Sequence, residues 1–195
     1  MPKLIPDVVA AGSLAAREQP TIVIDHELVL RPFRTDDPAD VDAVVRAFAT
    51  PDIQYFHFRH LDHDEATEWI AAADHAWQAE TGATWAITAR TDGTILGRVS
   101  VYLRLADGTG EVSYWVLPDD RGRGVARRAC RAATAWAHQL GIHRVELQHA
   151  AVNTASESVA RAAGFHREGV QRGAGLLVDG WHDMVLHSHL ATDPA

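Results

Sequence analysis

Val116-Leu-Pro-Asp-Asp-Arg121-Gly122-Arg123-Gly124-Val125-Ala126 carries an apolar strand end through a turn into a glycine-punctuated helix start. A helix opening leaves backbone N–H groups without carbonyl partners and carries a partial positive charge, so an anion gains hydrogen bonds and dipole stabilisation there. Gly122 and Gly124 keep side chains out of the approach, and Arg121 and Arg123 add local positive charge to an acidic chain. The stretch reads as an anion trap suited to a phosphate. Val125, Ala129, Ala132, Ala133, Trp136 and Leu140 then recur at helical spacing, with Gly141 placed to stop the helix. Arg127 stands where a dinucleotide fingerprint needs its third glycine, and Val125-Ala126 where a P-loop needs Lys-Ser or Lys-Thr. Neither rival fits. A tight turn before a core helix is the simpler alternative for these two glycines.

Working outward, the segments before the trap alternate. Glu27 to Pro32 reads as a strand, and Asp37-Pro38 caps a helix carrying Val41, Val44, Val45 and Phe48, which Pro51 ends. Asp62 and Glu65 form a capping pair for a second helix, with Ala66, Trp69, Ile70, Ala73 and Trp77 as its core stripe. Thr84 to Ala89, Ile95 to Leu105 and Glu111 to Leu117 are β-rich and separated by Asp-Gly turns, which predicts an antiparallel meander. After the trap come a strand over Val145 to Ala151 and a capping box Thr154-Ala-Ser-Glu157 that opens a short helix ended by Gly164. Strands over Phe165 to Arg172 and Trp181 to Leu190 form a last hairpin, whose exposed edge leaves monomer and homodimer both open. The fold class is α/β, a mixed, mostly antiparallel central sheet flanked by helices.

The 195 residues, 47% hydrophobic and 23% charged, suit one globular domain over 21–195 with an N-terminal extension over 1–20. A formal charge of −8 argues against nucleic acid as a partner, and no run is long enough to span a membrane. The apolar stretches Val8 to Ala11 and Leu14 to Ala16 lack the basic lead and continuity of a secretory signal. The single cysteine, Cys130, excludes an internal disulfide and reads as a core residue, so a cytoplasmic setting is expected.

The order of elements over about residues 25 to 190 resembles the GNAT superfamily of N-acyltransferases, and its nucleotide motif is met by Arg121, Gly124 and Ala126. Leu28-Val-Leu-Arg31, Glu111-Val-Ser-Tyr-Trp115-Val, and Asn153-x-x-Ser156 leading to Gly164-Phe165 and Glu168-Gly169 are similar to the branch of ribosomal-protein N-terminal (RimJ/RimL-type) acetyltransferases. The resemblance implies acetyl-CoA as donor and a primary amine as acceptor, either a polypeptide N-terminus or a small molecule. It implies pyrophosphate on the backbone of Arg123 to Ala126 and pantetheine between the strand ending at Leu117 and the one starting near Val145, paired to Val116 and Leu117. It also makes Asn153 a pantetheine contact, although a helix cap is an equal reading. Many relatives protonate the leaving thiolate with a tyrosine seven residues after that asparagine, where this chain has Ala160. Ser156 is the implied substitute, and its competing reading is a first-turn helix residue.

The resemblance aligns Glu111 with a glutamate that serves as general base in several members of the superfamily, acting directly or through water; the competing reading is a solvent-facing strand residue. Tyr55, His57, His60 and Asp62 fall where relatives cover the acceptor cleft and are the expected specificity residues. Among twelve histidines, His57, His60 and His63 invite a metal reading, but such spacing aligns side chains only on a continuous helix, and a loop is expected there. No metal is therefore expected, and His182, His187 and His189 are read as decorating the last strand. Two further functions stand beside the leading one: an acyl-CoA-binding protein without catalysis, motivated by Ala160, and a histidine-based metal-binding protein.

Overall fold

A computed structural model describes residues 4–57 and 59–194. Eight strands form one sheet in the order β1-β2-β3-β4-β5-β6-β8-β7. They are β1 (Ile22–Val23), β2 (Leu28–Pro32), β3 (Gly82–Ala89), β4 (Ile95–Arg104), β5 (Thr109–Val116), β6 (Arg144–Ala150), β7 (His166–Leu177) and β8 (Gly180–Leu190). The helices are α1 (Pro38–Phe48), α2 (Pro51–His57), α3 (His63–Gln78), α4 (Val125–Leu140) and α5 (Thr154–Ala162). None of them is long and apolar enough to cross a membrane.

Strand alternation divides the core between the two faces of the sheet. Trp85, Val99, Val101, Val112, Val145 and Leu147 pack with Val125, Ala129, Cys130, Ala133 and Ala137 of α4. Trp115 faces the other way and packs with Val44, Phe48, Ala66 and Ile70 of α1 and α3. Asp40, wholly buried on α1, takes both guanidinium N–H groups of Arg31 at 2.6 and 2.7 Å and the Arg34 amide at 2.8 Å. Arg31 thus fastens β2 to α1.

Pro51 does not simply end α1, as the sequence reading had it; it starts α2, because proline fits the first turn of a helix as well as it terminates the preceding one. The expected capping box at Thr154 is also displaced. Asn153 is the N-cap of α5, its side-chain oxygen accepting from the Ser156 amide at 3.0 Å, and Glu157 points away to other partners. Among the described residues the stretch up to Pro20 has no helix or strand, yet Val9 and Leu14 join the core, and the Glu80 carboxylate accepts from the Gly12, Leu14 and Ala15 amides. Trp77 and Trp85 each donate an indole N–H to this stretch, to the carbonyls of Arg17 and Pro20.

One pairing sets up the site. β5 and β6 are neighbours and run parallel, but they pair only over Thr109–Glu111 and Arg144–Glu146. β5 goes on to Val116 and β6 to Ala150 without further bonds between them, so the sheet splits into a wedge. On its other side β5 stays paired with β4 along its whole length, from Thr109 to Val116. Gly97 makes this close approach possible, since a Cβ there would run into the Trp115 carbonyl and lie 3.1 Å from the Val116 Cα. Gly97→Ala is expected to destabilise the protein by about 1–3 kcal/mol, the usual range for overpacking. Thermal unfolding should register this as a Tm fall of roughly 3–10 °C, and an unchanged Tm would show that the strands have room to part.

Candidate functional site

The wedge opens onto a cleft of about 430 Å³ walled by α2, the end of β5, the glycine turn, the start of α4 and the first turns of α5. Gly124 is the N-cap of α4 at φ 73°, and Gly122 has φ 74°, a backbone region that side-chain-bearing residues rarely adopt. The first amide bonded within the helix is that of Arg128, which reaches the Gly124 carbonyl at 3.0 Å. The amides of Val125, Ala126 and Arg127 precede it and form a first turn at the cleft wall that has no backbone partner among the described residues.

The arginines divide in a way the sequence did not disclose. Arg121 donates Nε to the Val116 carbonyl at 2.9 Å and pairs through its guanidinium with Asp52 of α2. It braces the turn against β5 and α2. Arg123 pairs with Asp120 at 2.9 Å and Arg128 with Asp25 and Glu27 at 2.9 and 2.7 Å. Arg127, which lines the cleft, makes no ion pair among the described residues. Arg121 and Arg123, the cations expected at the turn, are both ion-paired instead. The place of Arg127 in the first turn of α4, three residues after the N-cap glycine, was the available signal.

Backbone direction at the end of β5 follows from the ladder. The Leu117 amide donates to the Leu96 carbonyl at 2.8 Å, so it is turned toward β4. Antiparallel strands alternate the direction of their polar groups, which aims the amides of Val116 and Tyr114 at the wedge. Of the two main-chain donors expected there, Val116 is directed to the cleft and Leu117 is not.

Ser156, in the first turn of α5, lies 2.8 Å from the Tyr114 hydroxyl, and both residues line the cleft. Burial pushes the Tyr114 phenol above its ordinary range, the Cys130 side chain adds to this, and the Ser156 bond opposes it. The phenol therefore keeps its proton across neutral pH. Tyr114 was missed as a site residue; the alternation of β5, which puts it on the face shared with Val112 and Val116, could have found it. Ala160 is fully buried behind Ser156 on the same helix. Cys130 is buried and its thiol is pushed up by burial, so it is an inert core residue.

Glu111 occupies the last paired position before the wedge, opposite Tyr102 of β4 and Glu146 of β6. Burial first, then repulsion from Glu146, raises its carboxyl above the usual range, with Arg104 pulling the other way. It lies three residues before Tyr114, about 10 Å along the strand, and does not line the cleft itself.

Of the four residues expected at the acceptor wall, His57 lines the cleft. Burial, then the Arg98 guanidinium, lowers its pKa to about 4, so it is neutral at neutral pH. Tyr55 donates to Asp179 in the β7–β8 turn at 2.8 Å, His60 approaches Gln54 at 3.4 Å, and Asp62 caps α3 by accepting from the Glu65 amide at 2.9 Å. None of these three lines the cleft; Asp52, Ile53 and Phe56 of α2 do. His57, His60 and His63 stand on α2, its connection and α3, and His63 turns to Asp42 at 3.1 Å. The histidines of the last strand are not decoration: His187 and His189 are buried.

With this geometry in hand, the chain belongs to the acetyltransferase (GNAT) domain family, whose model matches residues 27–166. It is 34% identical over 102 residues to YdaF of Bacillus subtilis strain 168, provisionally named a ribosomal N-acetyltransferase, covering 51% of this chain and 55% of that protein. It is 30% identical over 106 residues to YjcK of the same strain, named a probable N-acetyltransferase, covering 53% and 59%. The matched stretch thus spans little more than half the length of these curated relatives.

Among solved structures, the acetyltransferase from Salmonella typhimurium described as modifying the N-terminal serine of the 50S subunit protein L7/L12 superposes with a TM-score of 0.77. Identity is 19%, over 88% of this chain and 99% of that one. The microcin C7 self-immunity acetyltransferase MccE, solved with acetyl-CoA and AMP, gives a TM-score of 0.76 at 19% identity, over 86% and 94%. At these identities the likeness is one of fold.

Asn153 lines the cleft and caps α5 at once. Asn153→Ala should lower stability by about 1 kcal/mol, a Tm fall of about 2–4 °C. Asn153→Asp, which can still accept from the Ser156 amide, should recover most of the loss. Equal falls in both variants would remove the cap from the account.

Proposed function

We propose that this chain transfers an acetyl group from acetyl-CoA to a primary amine, by direct attack within a ternary complex in a cytoplasmic setting. The observation that carries the reading is the wedge between β5 and β6, which opens directly onto the unpartnered first turn of α4. That arrangement suits a long ligand with an anionic end. The amides of Val125, Ala126 and Arg127, with the Arg127 guanidinium, would receive the diphosphate, and the Val116 amide would bond the pantetheine arm inside the wedge. The family and the names of the relatives support acetyl-CoA as donor. Several relatives carry names that refer to ribosomal proteins, which favours a polypeptide N-terminus over a small amine.

The chemistry follows from placement. The neutral amine nitrogen attacks the thioester carbonyl carbon, the carbonyl oxygen takes up negative charge near the β5 main chain, and the C–S bond then breaks. The departing sulfur takes a proton from the Ser156 hydroxyl, which regains one from Tyr114 across their 2.8 Å bond, and the phenol is refilled from solvent. The acceptor nitrogen gives up its proton to the Glu111 carboxylate through water, since Glu111 stands back from the cleft.

The test is acceptor-dependent thiol release from acetyl-CoA over a panel of peptides with different N-termini, amino acids, polyamines and aminoglycosides, with products identified by mass. Release with N-terminally acetylated peptide is expected. Saturable acetyl-CoA binding with no release to any acceptor would overturn catalysis and leave an acyl-CoA-binding protein.

Two variants separate the roles. A base must be deprotonated to act, so the raised Glu111 pKa places the acidic limb of log kcat/KM at higher pH than an ordinary carboxylate would. Activity should fall as pH drops through that limb. Glu111→Gln should remove the limb and lower kcat by about 10²–10⁴-fold while sparing acetyl-CoA affinity. Gly124→Glu should do the reverse, placing a carboxylate and a strained backbone at the diphosphate amides and abolishing donor binding. A Glu111→Gln enzyme with an unchanged pH profile would dismiss Glu111 as base.

A further inference from the structure

On the far side of α5 from the cleft, three side chains from three elements converge: His149 of β6, Glu157 of α5 and His187 of β8. His149 Nε2 and His187 Nε2 each lie 3.1 Å from the same Glu157 carboxylate oxygen and 3.2 Å from one another. A tetrahedral zinc ion bonded at 2.0–2.1 Å to nitrogen and oxygen separates its ligand atoms by about 3.3–3.4 Å. The triangle is within about 0.2–0.3 Å of that edge on every side.

The proton inventory points the same way. His149 Nδ1 lies 2.9 Å from the Ala150 carbonyl oxygen, which can only accept, so Nδ1 carries the hydrogen and neutral His149 presents a lone pair at Nε2. The Glu157 carboxylate oxygen presents another. His187 is completely buried, and its Nδ1 has no hydrogen-bond partner among the described residues. A single Nε2–H from His187 can serve one of its two neighbours well but not both. A cation at the centre takes up the lone pairs of both Nε2 atoms and of the carboxylate oxygen, and places the His187 proton on its buried Nδ1. The His149 bond to a backbone carbonyl is also the second contact that metal-bound histidines habitually make, since it fixes ring and tautomer. Glu157 is partly exposed, which leaves a fourth direction open to water.

We propose that His149, Glu157 and His187 bind one divalent transition-metal ion of the zinc type, through the two Nε2 atoms and a Glu157 carboxylate oxygen, and that the ion clamps α5 to β6 and β8. Two imidazoles and a carboxylate are a donor set for such metals and not for magnesium or calcium, which prefer all-oxygen sites. The site is independent of the acyl-transfer reading. Its structural effect is to fix the helix whose first turn holds Asn153 and Ser156 against the sheet.

The experiment titrates chelator-treated full-length protein with Zn²⁺ against a colorimetric competitor, and with Co²⁺ to read coordination from its visible spectrum. Wild type, Glu157→Gln, His149→Gln and a His60→Gln/His63→Gln control are compared, and circular dichroism checks the fold of each. One ion per chain, a tetrahedral Co²⁺ spectrum and a Tm rise of about 5–10 °C at a hundredfold excess over Kd are expected. Glu157→Gln and His149→Gln should each weaken binding by at least about 100-fold, beyond what loss of an outer contact costs, while the control keeps wild-type affinity. Should His149→Gln fail to fold, the partly exposed Glu157 position decides. Absence of saturable binding to wild type would mean that protons alone hold the cluster and would overturn the proposal. Wild-type affinity in Glu157→Gln would do so too, by placing the ion elsewhere.

Discussion

The molecule's chemistry depends on a pairing that stops early. β5 and β6 share a ladder over three residues on each strand and then diverge, while β4 keeps hold of β5 and β8 keeps hold of β6. A continuous ladder would seal the sheet and use the Val116 and Tyr114 amides internally. Divergence leaves them facing a gap without tearing the core, because each strand is still satisfied on its outer side. The α4 helix then begins where the gap opens, so one break in the sheet yields both a slot and an anion-binding end.

Electrostatics refine that slot. In a chain with formal charge −8, most cations near the site already have partners: Arg121 with Asp52, Arg123 with Asp120, Arg128 with Asp25 and Glu27. These pairs shape the turn more than they attract a ligand. The Arg121 bridge in particular joins the end of β5 to α2, so two walls of the cleft are braced by one guanidinium. What remains to draw an anion is the dipole and free amides of α4 together with Arg127. Behind α5, His149, Glu157 and His187 form a second centre that fastens the helix from the opposite side.

Much of this was legible in the chain. The β3–β4–β5 meander, the α4 start at Gly124 and its stop at Gly141 follow from alternation, helical spacing and glycine placement, all of them local signals. What stayed hidden depends on long-range partners. Arg121 and Arg127 look alike as letters, and only the position of Asp52, far earlier in the chain, decides which is neutralised. Tyr114 and Ser156 are 42 residues apart and meet because β5 and α5 flank the same wedge. Leu117 drops out as a donor because the register fixes its amide on Leu96. Pro51 misled because proline serves equally at the end of one helix and the start of the next, and Thr154 because asparagine and threonine are both good N-caps and stand side by side. The His187 reading failed for a similar reason: strand alternation assigns a face, but only the sheet order reveals that β8 lies inside β7 and buries it.

The central claim is that the wedge and the α4 start together receive acetyl-CoA, and residue-resolved amide hydrogen exchange with and without saturating acetyl-CoA tests it most directly. The account requires new protection at Val116 and at Val125, Ala126 and Arg127, with Leu117 unchanged because its hydrogen bond to Leu96 already exists. Protection confined to other parts of the chain, or an equal response at Leu117, would contradict it.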